Sequence, residues 1–245
     1  MNSTPDQDQR PVMVITGIAK RLGFALAEHF QQRGFQVVGS YRSLNPNLEK
    51  LARLNVEMIP CDFNDQHEID QFIHQLTLKK RPIRAVIHNA SDWLPDDCGQ
   101  AANQVFHRMM TVHAGAPYQI NLALADQLTL TDEQSDIIHI TDCVIERGSA
   151  KHAAYAASKA ALDNLTKSFA SKFAPRIKVN SIAPGLLKFN EHDDLMYREK
   201  TLKKALIQKE GGFEEIISAI QFILNSDYLT GRAISLDGGR HLKTL

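Results

Sequence analysis

The residues of this 245-residue chain best suited to moving a proton are a tyrosine and a lysine four positions apart, in Tyr155-Ala156-Ala157-Ser158-Lys159. On a helix, positions i and i+4 share one face. The Lys159 ammonium is therefore expected beneath the Tyr155 phenol, where its charge would lower the phenol's pKa. A phenol tuned in that way is a general acid near neutral pH. Alanines at 153, 154, 156, 157, 160 and 161 leave room for a cofactor or another helix to approach. Tyr-x-x-x-Lys alone occurs by chance in many helices, so its weight comes from what stands elsewhere in the chain.

Near the N-terminus, Thr16-Gly17-Ile18-Ala19-Lys20-Arg21-Leu22-Gly23 joins an apolar run to a helical one. That is the context a dinucleotide phosphate site requires. Gly17 can make the tight turn, Gly23 can let the helix pack close to the sheet, and the unpaired N–H groups of the helix start can face a pyrophosphate. A second apolar run ends in Ser40-Tyr41-Arg42-Ser43. NAD-selective sites carry Asp or Glu near this point for the ribose hydroxyls. None is present, whereas Arg42 can pair with a 2′-phosphate and Ser43 can donate a further hydrogen bond. A charge-assisted bond of roughly 1.5–3 kcal/mol gives about a 10- to 150-fold preference for NADPH.

Positioning these groups takes a scaffold, and the apolar pattern supplies one. Short apolar runs at 12–15, 36–40, 56–59, 85–88, 136–140, 177–182 and 233–236 read as strands. Helical spacing fills the gaps, longest around 101–130 and 153–173. Strands alternating with helices predict parallel pairing through right-handed crossovers. The expected fold is α/β, a single doubly wound Rossmann-like domain with a seven-stranded parallel sheet over 12–245, preceded by a flexible polar tail at 1–11. Ligands of such a sheet bind outside the carboxyl ends of its strands.

Composition narrows the function classes. The 28 basic and 28 acidic side chains balance, which argues against a nucleic-acid binder working by phosphate neutralisation. With 43% hydrophobic and 23% charged residues, disorder, collagen and coiled coil are poor readings. Three scattered cysteines, Cys61, Cys98 and Cys143, suggest free thiols in a reducing compartment. No run approaches the ~20 apolar residues of a membrane span, and the first eleven residues lack the apolar core of a signal peptide. A cytoplasmic protein with no membrane and no nucleic-acid partner is expected. His192-Asp193-Asp194 could be mistaken for a metal site, but three adjacent residues cannot wrap a cation, so a lid contact or helix cap is expected there and no metal.

The glycine loop and the Tyr155/Lys159 pair together resemble the short-chain dehydrogenase/reductase family. Arg21 stands where that family usually has a third glycine. The run Thr-Gly-x-Ala-Lys-Arg-Leu-Gly is similar to its pteridine-reductase branch, where the arginine lies beside both diphosphate and substrate. The resemblance implies cofactor contacts at Gly17, Arg21, Leu22, Tyr41, Arg42, Ser43, Asp62, Asn89, Ala90, Tyr155, Lys159 and Pro184, with Asp62 at the adenine ring. In the turn His88-Asn89-Ala90-Ser91, Ser91 replaces the family's glycine. Thirteen residues before Tyr155 the family has a serine that holds a ketone oxygen; here it is Asp142, as in pteridine reductases, and a carboxyl group suits a substrate with ring nitrogens. Trp93, the single tryptophan, falls in a loop where that branch stacks an aromatic on the flat pterin. His113 replaces an asparagine that supports a water chain to the lysine; it could hold the same water or cap a backbone kink. Runs such as Phe189-Asn190-Glu191-His192-Asp193-Asp194 and Leu236-Asp237-Gly238-Gly239-Arg240-His241-Leu242 extend the likeness over nearly the whole chain.

What the resemblance implies is NADPH-dependent reduction of 7,8-dihydromonapterin to tetrahydromonapterin, with weaker activity on dihydrofolate. Hydride would go to pterin C6 and a proton to N5. Tyr155, Lys159 and Asp142 would form the polar site, with Arg21, Ser91 and Trp93 about the pterin and a charged, helical lid at 185–212. Whether Tyr155, Asp142 or water delivers the proton stays open at this point. So do two rivals: a family member acting on another pterin or a carbonyl, and a catalytically silent NADPH-sensing module. A homo-oligomer, by family analogy a tetramer, is also expected.

Overall fold

Alternate side chains of a strand face opposite sides of a sheet. All four residues of the first strand, β1 (Val12–Ile15), are buried, so both faces of this sheet must be covered. The computed structural model, which describes residues 10–243, shows how. The other strands are β2 (Gln36–Tyr41), β3 (Glu57–Pro60), β4 (Ile83–His88), β5 (Ser135–Ile140), β6 (Ile177–Pro184) and β7 (Ala233–Leu236). They form one parallel sheet in the order β3-β2-β1-β4-β5-β6-β7. The helices are α1 (Arg21–Gln32), α2 (Pro46–Arg53), α3 (Gln66–Leu78), α4 (Ala102–Met110), α5 (Ala116–Ala123), α6 (Ala153–Phe173), α7 (Leu195–Leu202) and α8 (Phe213–Leu224).

Two cores follow from the alternation. Val12 and Val14 pack with Ile69 and Phe72 of α3, Ile120 of α5 and Phe169 of α6. Met13 and Ile15 face the opposite layer, with Leu26 and Phe30 of α1, Leu51 of α2, and Ile216 and Ile220 of α8. The doubly wound seven-stranded parallel sheet is the one expected. β1 pairs with β2 on one side and β4 on the other, so the switch in strand order opens a crevice at their carboxyl ends.

Two expectations change, and a third lies mostly outside the described residues. The helical stretch around 101–130 is two helices joined by a π-helical turn at Thr111–Gly115 that includes His113, because Gly115 and Pro117 interrupt regular bonding. Segment 185–212 carries just one helix, α7, and is otherwise irregular; α7 buries no side chain, so burial does not extend it. The expected tail falls outside the described residues but for Arg10, whose Nη2 donates to Gln36 Oε1 at 2.8 Å, and Pro11.

Candidate active site

The loop after β1 is held by backbone groups. Gly17 adopts φ +75°, and a Cβ there would stand 2.9 Å from Ala90 Cα. A Cβ on Gly23 would stand 2.0 Å from the Gly17 carbonyl oxygen. Ser40 fastens the loop to β2, its Oγ accepting from Gly17 N at 2.9 Å and its carbonyl from Ile18 N at 2.8 Å. Asn89 Nδ2 donates to the carbonyls of Thr16 and Gly17 at 3.0 and 3.1 Å, while Thr16 Oγ1 accepts from the N–H groups of Asn89 and Ala90 at 2.9 Å each. The ends of β1, β2 and β4 are thereby tied into one frame. Serine 40's part was missed in the sequence, because nothing in the residue's type says which loop amide it will meet.

Between these ends lies a cleft of about 320 Å³. Its lining includes Gly17, Arg21, Leu22, Tyr41, Arg42, Ser43, Asp62, Asn89, Ala90 and Ser91. Tyr155, Lys159 and Pro184 are not part of that lining; Pro184 is buried at the end of β6, in register with Leu236. Glycines wherever a Cβ would collide, a helix start, and three cations (Lys20, Arg21 and Arg42) against Asp62 suit a dinucleotide bearing several phosphates. Arg42 is already paired: its Nη1 lies 3.1 Å from Asp92 Oδ2, which also accepts from Arg108 Nε at 2.7 Å. Burial pushes the Asp92 carboxyl up, but the two guanidiniums outweigh it and hold it below the usual range. Arg21 adopts the left-handed conformation that glycine takes most readily, at φ +53°, which costs an ordinary residue about 1–2 kcal/mol. Its head reaches outward to segment 185–212, donating to Asn190 Oδ1 at 2.8 Å and to the Lys188 carbonyl at 2.6 Å.

Beyond the cleft, the three proton-transfer candidates do meet. Tyr155 donates its hydroxyl to Asp142 Oδ2 at 2.8 Å. Asp142 Oδ1 accepts from Val144 N at 2.8 Å, capping a short 3₁₀ turn at Cys143–Glu146, so one oxygen of this carboxylate caps a turn while the other receives the phenol. Lys159 is buried, its Nζ 5.8 Å from the centre of the Tyr155 ring and donating to the Ile140 carbonyl at 3.0 Å. Burial lowers its pKa to about 8 despite the opposing pull of Asp142. The phenol is a correction. Burial, then the Asp142 carboxylate, raise its pKa well above 10, the reverse of the lowering expected from Lys159. Helical spacing does place the lysine below the ring, yet the group within hydrogen-bonding reach of the hydroxyl is an anion.

His113 bridges the two regions. Asp92 N donates to its Nε2 at 3.1 Å, so Nδ1 carries the proton and donates to Ser158 Oγ at 2.8 Å. Ser91 Oγ lies 2.9 Å from Nε2, and Ser158 Oγ donates to the Tyr155 carbonyl at 2.7 Å. Burial first, then Lys159, push the His113 pKa down to about 2, which keeps the ring neutral. Trp93 stacks on His152 (ring centres 4.5 Å apart, planes at 21°) and lies outside the cleft lining; at 59% exposure it keeps a free face. From the same loop, Asp96 accepts from Ala153 N at 2.7 Å and Ala154 N at 3.2 Å, capping α6 two residues before Tyr155. Neither His152 nor Asp96 had a local signal, since their partners lie more than fifty residues away. Asp194 caps α7 through Tyr197 N at 2.7 Å, and Asp193 Oδ2 accepts from Asn190 N at 2.8 Å, as the cap-or-lid reading expected.

A glycine-built cleft on a parallel sheet, with Tyr-x-x-x-Lys on the helix after β5, defines an oxidoreductase of the short-chain dehydrogenase/reductase family, and this chain belongs to that family. The family model described as "Enoyl-(Acyl carrier protein) reductase" matches residues 17–241. Within it, the chain is 46% identical over 239 residues to the dihydromonapterin reductase of Klebsiella pneumoniae, covering 97% of this chain and 99% of that one. It is 45% identical over 232 residues to the dihydromonapterin reductase of Escherichia coli, covering 94% and 97%. Among solved structures, FolM alternative dihydrofolate reductase 1 from Brucella canis, complexed with NADP, is similar with a TM-score of 0.86 at 26% identity, covering 98% of this chain and 97% of that one.

Proposed function

We infer that this chain reduces 7,8-dihydromonapterin to tetrahydromonapterin with NADPH, and dihydrofolate less well. The observation that carries this reading is the Asp142–Tyr155 hydrogen bond at 2.8 Å. A carboxylate held there by one phenol and one backbone N–H can meet the N–H groups of a pterin ring, whereas it would repel the oxygen of a ketone. The names of the close relatives support the same substrate class.

Gly17, Leu22, Tyr41, Arg42, Ser43, Asp62, Asn89 and Ala90 would hold the cofactor, Arg42 and Ser43 at its 2′-phosphate and Arg21 beside the diphosphate. When bound, NADPH supplies the hydride that goes to pterin C6. Asp142 orients the ring nitrogens and relays the proton to N5. Tyr155, kept neutral by burial, holds Asp142 in place as a donor and can pass on its own proton. Lys159, charged below about pH 8, balances the Asp142 charge. Ser91 and Arg21 position the pterin head, and the free face of Trp93 covers it. Segment 185–212 acts as the lid, latched through Arg21. A cytoplasmic homotetramer completes the reading. The assembly is supported by the exposed Ala153, Ala157 and Ala160 along one side of α6, where another helix can pack closely; among the described residues no helix is long and apolar enough to cross a membrane.

The test is NADPH oxidation with dihydromonapterin, dihydrofolate and a panel of ketones and sugars. Dihydromonapterin should give the highest kcat/KM. A carbonyl turned over faster would overturn the substrate class, and cofactor binding with no turnover of any of them would favour a sensing module.

A further inference from the structure

A second cavity, of about 470 Å³, opens at the same end of the sheet, and its wall is strongly basic. Cys143, which lines it, is the residue after Asp142. Five cationic side chains, Arg147, Lys203, Lys204, Arg240 and Lys243, face one carboxylate, Asp237. That carboxylate is committed to its own turn, accepting from Gly239 N at 3.0 Å, His241 N at 2.8 Å and the His241 ring at 3.0 Å. Arg147 and Lys243 are steered by carbonyls, the first by those of His241 and Lys243, the second by that of Lys203. Carbonyls orient a cation without cancelling its charge. Lys203, Lys204 and Arg240 have no side-chain hydrogen bond or ion pair among the described residues. Burial, then Arg240, Lys200 and Lys151, lower the Lys204 pKa, as expected of a crowded like-charge site.

In a chain whose net charge is zero, gathering five cations around one concave surface costs self-repulsion that a bound anion relieves. The wall is also shared with the rest of the site: Lys203 and Lys204 follow the end of α7, and Cys143 adjoins Asp142. We propose that this cavity is a subsite for an anionic chain tethered to the reducible ring, either the carboxylates of a γ-glutamyl tail or phosphates on the pterin side chain. The proposal rests on the dihydropterin reading of Asp142 and Tyr155. It predicts that the enzyme discriminates its substrates by the charge of the tail as well as by the head group.

The test uses the Lys204→Gln/Arg240→Gln double variant, checked for a wild-type thermal melt. Substrates are dihydromonapterin, dihydrofolate with one and with five glutamyl residues, and dihydromonapterin triphosphate. In the wild type, KM should fall at least about fivefold from one to five glutamyl residues, or from dihydromonapterin to its triphosphate, and the arm that responds identifies the anion. The double variant should lose that gain while its kcat/KM on dihydromonapterin stays within about twofold. No dependence on tail charge in the wild type, or an equal loss on dihydromonapterin, overturns the subsite. Calorimetric titration with penta-γ-glutamate and with inorganic tripolyphosphate separates the two readings. If no dihydropterin is turned over but one of these probes binds the wild type and not the variant, the subsite stands and the pterin assignment fails.

Discussion

The cofactor cleft and segment 185–212 meet at Arg21 and are built by different means. In the cleft, glycines, backbone amides and three short side chains, Thr16, Ser40 and Asn89, fix the loop to three strands. Segment 185–212 meets the rest of the chain through two backbone hydrogen bonds near its ends, Gly185 N to the Leu236 carbonyl and Ile207 N to the Gly238 carbonyl at 2.9 Å each, and otherwise rests on long side chains: Arg21 reaches in to Asn190 and Lys188, while Arg198, to the carbonyls of Asn190 and Asp193, and Glu210, to Phe189 N, tie the segment to itself. Leu195 and Met196 are 79% and 81% exposed. A phosphate needs donors placed to a fraction of an ångström before it arrives, which backbone does well. A cover needs contacts that break and re-form, and regions with few buried apolar contacts open at low free energy.

Substitutions can break or sharpen that contrast. Tyr155, between the two regions, should be the most sensitive: Tyr155→Phe is expected to lower kcat by about 10²–10⁴, or roughly 3–5 kcal/mol, in single-turnover reduction of dihydromonapterin. Near-normal turnover would assign proton delivery to Asp142 and water. Next, Gly23→Ala drives a Cβ into the Gly17 carbonyl; displacing a loop with no slack should cost roughly 3 kcal/mol, read as about a hundredfold weaker NADPH binding by nucleotide fluorescence. An unchanged affinity would mean that the cleft is as pliant as the segment opposite. Arg42→Ala should raise the KM for NADPH about 10- to 150-fold with little change for NADH, and equal effects on both would remove Arg42 from the 2′-phosphate. Smallest of all, Arg21→Gly relieves a strain of about 1–2 kcal/mol and frees segment 185–212. Its KM for dihydromonapterin should rise about three- to tenfold by steady-state kinetics, at a melting temperature close to wild type. A larger rise in the KM for NADPH would place Arg21 with the cleft rather than the lid.

The same contrast explains what could be read from the sequence. β1, β7 and α6 begin and end where the apolar pattern puts them, because a fully buried strand, a short apolar run at the sheet edge and a long helix each leave a clear local signal. The glycines at 17 and 23 were legible for a similar reason, since a residue type was required at a fixed step from a strand. Segment 185–212 was read as helical from its charged composition, but α7 buries nothing, so little beyond local propensity holds a helix there. Asp92, Asp96 and His152 act on partners 50, 57 and 59 positions away, and no local pattern encodes such pairings. The sign of the Tyr155 shift failed for a different reason: both the lysine at i+4 and Asp142 were visible, but the sequence does not tell how deeply the phenol is buried, and burial first, then the carboxylate, set the outcome.

Arg21 has its backbone in one of these regions and its guanidinium in the other. An outward swing of residues 188–190 must either break two hydrogen bonds or tug on the glycine turn after β1, where the proposed function seats the diphosphate. The two rims of the mouth are thus mechanically geared, and loading one of them changes the stiffness felt at the other.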